Sequence, residues 1–202
     1  MKSRLIYIFI FFTLVGNAQS NKKILRKINK FQKELNLEFL NPKTTILDSL
    51  DQLSFEGLEF YPASPKFYIK ARFKRTPSET PFLMKTSTDR LPEYVKYGEA
   101  HFEMENKKIV LNIYQNIEYS KIDEFKNDLF LPFTDFTSGD GSYGGGRYID
   151  LKIPDNDLIV IDFNKSYNPY CAYSHRFSCP IPPEENDVSL RIEAGVKSFN
   201  GH

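Results

Sequence analysis

From residue 55 onward the apolar residues recur at every second position, and this period fixes what the chain can fold into. In KFYIKARFK (66–74), Phe67, Ile69, Ala71 and Phe73 alternate with Tyr68, Lys70, Arg72 and Lys74. Successive strand side chains point to opposite faces, so this is the pattern of a half-buried strand. YGEAHFEM (97–104) repeats it, with Gly98, Ala100, Phe102 and Met104 on one face and Tyr97, Glu99, His101 and Glu103 on the other. KKIVLNIYQ (107–115) follows across Glu105 and Asn106, which reads as a hairpin. Further strands are expected at 129–134, 147–153, 158–163 and 188–196. Connections this short leave no room for crossover helices, so the spacing predicts a mainly antiparallel barrel or sandwich. With one helix added, the class is α+β by content. Eighteen Phe and 12 Tyr are enough for one substantial core, and 46–202 is expected to be a single β-rich domain.

The N-terminus is of another kind. Lys2 and Arg4 precede the apolar run Leu5–Phe12, which relaxes into Gly16-Asn17-Ala18. The run is about 11 residues, short of the ~20 that a membrane-spanning helix needs, and it reads as a signal peptide over 1–18 with cleavage after Ala18. The mature chain is then expected to be periplasmic or extracellular, with no transmembrane segment left. A helix is expected over 19–45, capped by Asn21, with Ile24, Ile28, Phe31 and Leu35 along its apolar face and Asn41-Pro42 at its end. Its other face carries Lys22, Lys23, Arg26, Lys27, Lys30 and Lys33, either as a solvated surface or against an anionic membrane.

Charge narrows the partners. Without Lys2 and Arg4 the chain has 25 basic and 26 acidic residues, which argues against nucleic acid. The segment FTSGDGSYGGGRYIDL (136–151) contains Gly139-x-Gly141-x-x-Gly144, a dinucleotide pattern as text. That fingerprint must open a helix, whereas here a strand follows, so no nucleotide cofactor is expected. The loop can instead bring backbone amides and Arg147 to a carboxylate or phosphate, or Arg147 can pair inside the fold with Asp135, Asp150 or Asp162. Arg147 open to solvent beside an acid and a tyrosine favours a binding or catalytic pocket. Arg147 sealed in an ion pair favours a scaffold.

Both cysteines lie in YNPYCAYSHRFSCPIPP (167–183). In an exported chain the pair Cys171–Cys179 is expected to form a disulfide. Three alternatives stay open. One is a metal held by Cys171, His175 and Cys179 with Asp162 as fourth ligand, another a Cys171 thiolate paired with His175, and the last two buried thiols. No G-x-S-x-G elbow supports a serine triad, and His101 reads as part of a solvated strand face. For acid/base chemistry the acids to watch are Asp135 and Asp162, with Tyr143 as donor.

The blocks FTDFTSGDGSYGGGRYIDL, IDFNKSYNPYCAYSHRFSCPIPPEEN and IEAGVKSF occur in that order. Together they resemble the family known as the domain of unknown function 1684, over residues 50 to 199. Ser142 and Val196 depart from its pattern, which has threonine and glutamate there. The resemblance implies a shared fold and a shared set of polar and aromatic residues, and it brings no reaction with it. Carried onto this chain, the set gives Thr137, Tyr143, Gly144, Arg147, Asn164, Tyr167, Asn168 and Tyr173 as ligand-binding candidates, with Asp135, Tyr143 and Asp162 as catalytic candidates. The function expected is a pocket for a small polar or anionic ligand, built from 135–147 and 162–183. The alternatives are a hydrolase-like acid/base enzyme using the same pocket, and an exported scaffold whose loops are wired together by Asx turns and tyrosine hydroxyls.

Overall fold

In the computed structural model the backbone of residues 3–199 and the side chains of residues 19–199 are described. The signal-peptide reading rests on residues 1–18, whose side chains lie outside that range. Helix α1 spans Ser3–Leu40, so Asn21 lies inside the helix and does not cap it. The expected apolar face is the one that packs: Ile28 and Phe39 are buried, and Ile24, Phe31 and Leu35 half-buried, at the three- and four-residue spacing of a helix stripe. All six basic residues of the opposite face are exposed. Asn36 Oδ1 accepts the Leu58 N–H at 2.6 Å and ties the helix to the body. A short α2, Ser49–Ser54, follows. Among the described residues no helix is long and apolar enough to cross a membrane.

The remainder is a mostly antiparallel sheet rolled into a half-barrel. Its strands are β1 (Tyr68–Arg75), β2 (Phe82–Leu83), β3 (Glu93–Met104), β4 (Lys107–Asn116), β5 (Asp128–Asp135), β6 (Arg147–Lys152), β7 (Leu158–Asp162) and β8 (Asp187–Val188). The main path is β6-β5-β4-β3-β1-β7, with β2 on β3 and β8 parallel on β5. The two ends of that path, β6 and β7, are joined by residues 153–157 alone. A linker of that length reaches about 20 Å at most, so the sheet must curl to bring its ends together. The expected hairpin is present: Met104 pairs with Lys107, and Glu105 and Asn106 both take positive φ (52° and 61°), as a two-residue turn of matching twist requires.

The concave face holds the main core, including Phe67, Ala71, Phe73, Ala100, Leu111, Leu131, Phe133, Ile149 and Ile161. A register shift between Lys96 and Gly98 changes the parity of β3. Ala100 and Leu111 face inward, while Tyr94 and Tyr114 lie on the outer face with Met84 and Phe130. Gly98 sits at this bulge because nothing larger fits: a Cβ there would lie 2.6 Å from the Phe73 ring and 2.7 Å from the Lys74 carbonyl oxygen.

One expected strand is not in the sheet. Over 188–196 the period-two burial is real, with Val188, Leu190, Ile192, Ala194 and Val196 all buried. Only Asp187–Val188 pairs as a strand. Beyond it Leu190 N–H bonds back to Val188 O and Ala194 N–H to Ile192 O, tight three-residue turns that break a ladder. The segment crosses the open side of the half-barrel as a plug, its backbone held by side chains at Ile192 and Ala194 and by backbone groups at Leu190, Gly195 and Val196.

Gly98→Ala is expected to lower stability by about 1–3 kcal/mol through overpacking, while Gly144→Ala, where a Cβ meets nothing closer than 3.8 Å, stays within about 0.5 kcal/mol. Urea unfolding of the two variants checks the contrast.

Candidate functional site

Arg147 opens β6 and points into the concave face, where it is 0% exposed. Its Nη2 donates to Asp135 Oδ1 at 2.9 Å, to Thr137 Oγ1 at 3.1 Å and to the Ile192 carbonyl at 3.0 Å, while Nη1 donates to the Ala194 carbonyl. Asp135 Oδ2 accepts the N–H groups of Ile192 (2.7 Å) and Thr137 (3.2 Å). Of the outcomes the sequence leaves open, this is the sealed ion pair. Arg147, Asp135 and Thr137 fasten the 188–196 plug to β5 and β6, and the guanidinium does not face solvent as a ligand clamp or electrophile would.

The glycine loop supports that node. It joins β5 to β6 with no helix after it, and its amides are turned onto itself: Gly139 N–H bonds Ser142 O, and Asp140 and Ser142 N–H both bond Thr137 O. Gly144 is exposed within it. Asp162 caps the turn that follows β7, accepting from Asn164 N–H (3.2 Å) and Nδ2 (2.9 Å). Burial pushes its carboxyl up. Asn164 is spent on the Ser64 backbone, accepting its N–H and donating to its carbonyl. These are the Asx-type ties of the scaffold reading.

The open site lies on the other face of the sheet. A cavity of about 460 Å³, partly open to solvent, lies between the outer faces of β3, β5 and β6, the 167–180 segment, and α1 as a cover. Phe31, Leu35 and Phe39 come from α1, Tyr94 and Phe130 from the sheet, and Tyr148, Tyr167, Tyr170 and Tyr173 complete an aromatic box. The rings meet edge to face: Phe130–Tyr148 at 4.7 Å, Tyr148–Tyr167 at 5.9 Å, Phe39–Tyr173 at 4.8 Å. The segment is held by a backbone bridge in which Tyr148 and Tyr167 exchange N–H···O bonds at 2.9 and 3.0 Å, and by the Tyr148 hydroxyl donating to the Pro180 carbonyl.

Three polar groups converge on this box. Asp150, the next outward residue after Tyr148 on β6, accepts the Tyr167 hydroxyl at 2.8 Å. It keeps accessible surface, yet protein surrounds it on most sides. Loss of solvation pushes its carboxyl up, with Tyr167 drawing it partly back. Burial and the neighbouring Asp150 push the Tyr167 phenol far up. Asn168 is 1% exposed, and its Nδ2 donates to the Lys197 carbonyl at 2.9 Å and to the Tyr173 hydroxyl at 3.2 Å. A carbonyl partner admits only the amide nitrogen, so the orientation is fixed, and Asn168 Oδ1 is left with no partner among the described residues. Arg90 stands at the rim, braced on Ser178 through its side-chain oxygen (3.1 Å) and its carbonyl (2.8 Å).

Of the ligand-binding candidates, then, Tyr167, Asn168 and Tyr173 meet in one cavity. Thr137, Arg147 and Asn164 are committed inside the fold, and none of the cavity's lining residues comes from 135–147. Asp150, Tyr148, Phe130 and Arg90 were missed as site residues. Their signal was present in RYIDL, where Tyr148 and Asp150 share the face opposite Arg147, Ile149 and Leu151, but reading it needs the knowledge that this face is covered.

The cysteines are free and not bridged. It is the backbone N–H of Cys171 that approaches Cys179 Sγ, at 3.1 Å, whereas a disulfide requires about 2.05 Å between the sulfurs. Tyr143, half-buried, brings its hydroxyl to 3.9 Å from Cys171 Sγ, and burial followed by that neighbour pushes its phenol up to about 12. Hydrogen bonding from the Cys179 thiol, with help from Tyr143 and Ser87, lowers Cys171 to about 6, and Cys179 is pushed up in turn. Cys179 thus takes the partner role that spacing offered to His175. Among the described residues no group of three His, Cys, Asp or Glu side chains is arranged to hold a metal, so Cys171, His175 and Cys179 are not a ligand set. His101 Nε2 lies 2.9 Å from Glu99 Oε2 on the outer strand face.

Two outcomes are expected. Arg147→Met or Asp135→Leu alone should cost about 3–5 kcal/mol. The double variant should fail to recover wild-type stability, because the N–H of Ile192 and the carbonyls of Ile192 and Ala194 lose their partners as well; a double-mutant cycle by denaturant unfolding reads this. For Asp150 the native carboxyl holds its proton to higher pH than the unfolded one, so its contribution is present below the unfolded pKa and is lost as pH rises through the raised native value. Asp150→Asn should remove that loss, and the stability difference between wild type and variant should change with pH across the acid range.

Residues 53–197 match the family described as Protein of unknown function (DUF1684). No curated protein matches the chain. Among solved structures, it is similar to the solution NMR structure of the uncharacterized protein from gene locus rrnAC0354 of Haloarcula marismortui, with 28% identity and a TM-score of 0.67 over 88% of this chain and 95% of that one. The match spans the half-barrel, the sealed ion pair and most of the aromatic cavity, and by it the chain belongs to the DUF1684 family of proteins of unknown function.

Proposed function

We propose that this protein is an exported binding module, and that the aromatic cavity under α1 takes a small ligand with a planar apolar body and a hydrogen-bond-donating substituent. The observation that carries the reading is the aromatic-rich cavity itself, with Asn168, whose buried Oδ1 has no partner among the described residues, in its lining. A buried acceptor without a partner costs free energy that a bound donor would recover. The volume, about 460 Å³, falls within the usual range for small-molecule sites, roughly 300–1,000 Å³. The preference for an anion expected from the glycine loop now rests on Arg90 at the rim. Export belongs to the same proposal and rests on the residues 1–18 pattern.

A second reading, acid/base catalysis in the same cavity, is favoured by one observation: Asp150 carries a raised carboxyl hydrogen-bonded to Tyr167 among aromatic rings.

Thermal unfolding with tyramine and with 4-hydroxyphenylacetate as probes tests the binding reading. Both carry a phenol donor, and they differ in charge. Saturable stabilisation by at least one probe, weakened in Tyr167→Phe, is the expected result. If neither probe stabilises the wild type at millimolar concentration, the reading is wrong. If the anion is the better ligand, Arg90→Ala should erase its advantage.

A further inference from the structure

The two cysteines are not part of the ligand reading, and their surroundings are unequal. Cys171 lies on the single turn Tyr170–Ala172 and is half-buried. Cys179 is 7% exposed and held on both sides by one residue: its N–H donates to Ser87 Oγ at 3.1 Å, and its carbonyl accepts the Ser87 N–H at 2.8 Å. The Cys171 N–H donates to Cys179 Sγ at 3.1 Å, and the Tyr143 hydroxyl stands 3.9 Å from Cys171 Sγ. A half-buried cysteine with a hydroxyl beside its sulfur, and with its N–H on the sulfur of a second, more buried cysteine held on a fixed support, is the arrangement of an attacking and a resolving thiol.

We propose that Cys171 and Cys179 form a thiol–disulfide exchange site whose co-reactant is a low-molecular-weight disulfide. The Cys171 thiolate attacks one sulfur of the disulfide, the S–S bond breaks, and the first thiolate leaves with the electron pair. Cys179 then gives its proton to solvent and attacks Cys171 Sγ, releasing the second thiolate and closing Cys171–Cys179. Two protein thiols lose two electrons, and one external disulfide becomes two thiols. The lowered Cys171 thiol, about 6, keeps the attacking sulfur ionised near neutral pH, and the raised Cys179 keeps the resolving thiol protonated until the mixed disulfide forms. The bridge anticipated from the sequence becomes one state of a couple whose other state is the free pair described above.

The test uses the reduced full chain, glutathione disulfide as the probe, and intact mass after acid quenching. The expected course is a single glutathione adduct, mapped to Cys171, that decays as a species two protons lighter than the reduced protein accumulates. In Cys179→Ser the adduct should persist, and in Cys171→Ser none should form. An adduct on Cys179, an adduct in the wild type that never resolves, or no reaction would each overturn the proposal. The wild type also supplies a check that needs no variant. The rate of iodoacetamide alkylation at Cys171 should rise through a midpoint well below the ordinary thiol value of about 8.5, and a midpoint at that value would equally overturn the proposal.

Discussion

The buried pair of Asp135 and Arg147 is the interaction on which the remaining architecture depends. A half-barrel whose edges are joined by a five-residue linker has an open side, and the chain closes it with 188–196, a segment that is apolar enough to be buried but does not complete a strand ladder. Its backbone N–H and C=O groups still need partners away from water. Arg147 offers a planar fork of donors to the Ile192 and Ala194 carbonyls, and Asp135 accepts the Ile192 N–H. Placing two charges in the interior costs solvation free energy, which is offset here because each is paired and further hydrogen-bonded; of the guanidinium nitrogens only Nε lacks a partner among the described residues.

The glycine loop follows from the same constraint. To enter β6 with Arg147 pointing inward, the chain must turn sharply after Tyr143. Gly146 does so at φ 86°, where a Cβ would lie 2.6 Å from the Phe133 carbonyl oxygen. Polar residues that look like ligand-binding chemistry on paper, such as Thr137, Ser142 and Arg147, are the internal wiring of this closure: Thr137 Oγ1 and Ser142 Oγ are 2.8 Å apart inside it. A run of glycines ending in arginine is therefore compatible with an anion cradle and with a sealed corner, and burial separates the two.

The outer face has a different logic. There the bulge in β3 turns Tyr94 outward beside Tyr114 and Phe130, and β6 adds Tyr148 and Asp150. The 167–180 segment is hung over them by hydrogen bonds, and α1 covers the opening with Phe31, Leu35 and Phe39. Large rings fixed by their hydroxyls and backbone leave a gap where flexible aliphatic side chains would close up. Beside that gap the surrounding protein takes solvation from Asp150, and Asn168 Oδ1 is without a partner among the described residues. The cysteine pair lies in the same segment, with Cys179 on the cavity wall and Cys171 half-buried beside Tyr143.

Much of this was legible in the sequence. The two-residue period located β1, β3, β4, β5, β6 and β7 and the Glu105-Asn106 hairpin, and it assigned the inward faces of β1 and β3 correctly, because alternation and turn chemistry are local properties. The apolar stripe Ile24–Leu35 likewise identified the packing face of α1. The same local rule failed at 188–196, where alternate burial arises beside side-chain partners and not in a ladder, and at Asn21, which lies within a longer helix. The chemical content of the loops was legible as well, in Arg147, Tyr167, Asn168 and the two cysteines. Their roles depended on which residues, distant along the chain, come to lie beside them: Asp135 with Ile192 and Ala194 around Arg147, Asp150 at the Tyr167 hydroxyl, Lys197 on the Asn168 amide, Ser87 and Tyr143 at the thiols. Sequence alone determined the periods, the turns and the inventory of reactive groups, since each is set by neighbours along the chain. Which groups were sealed and which were left facing a cavity was decided only by tertiary structure, because burial and hydrogen-bond partners come from segments that only the folded sheet brings together.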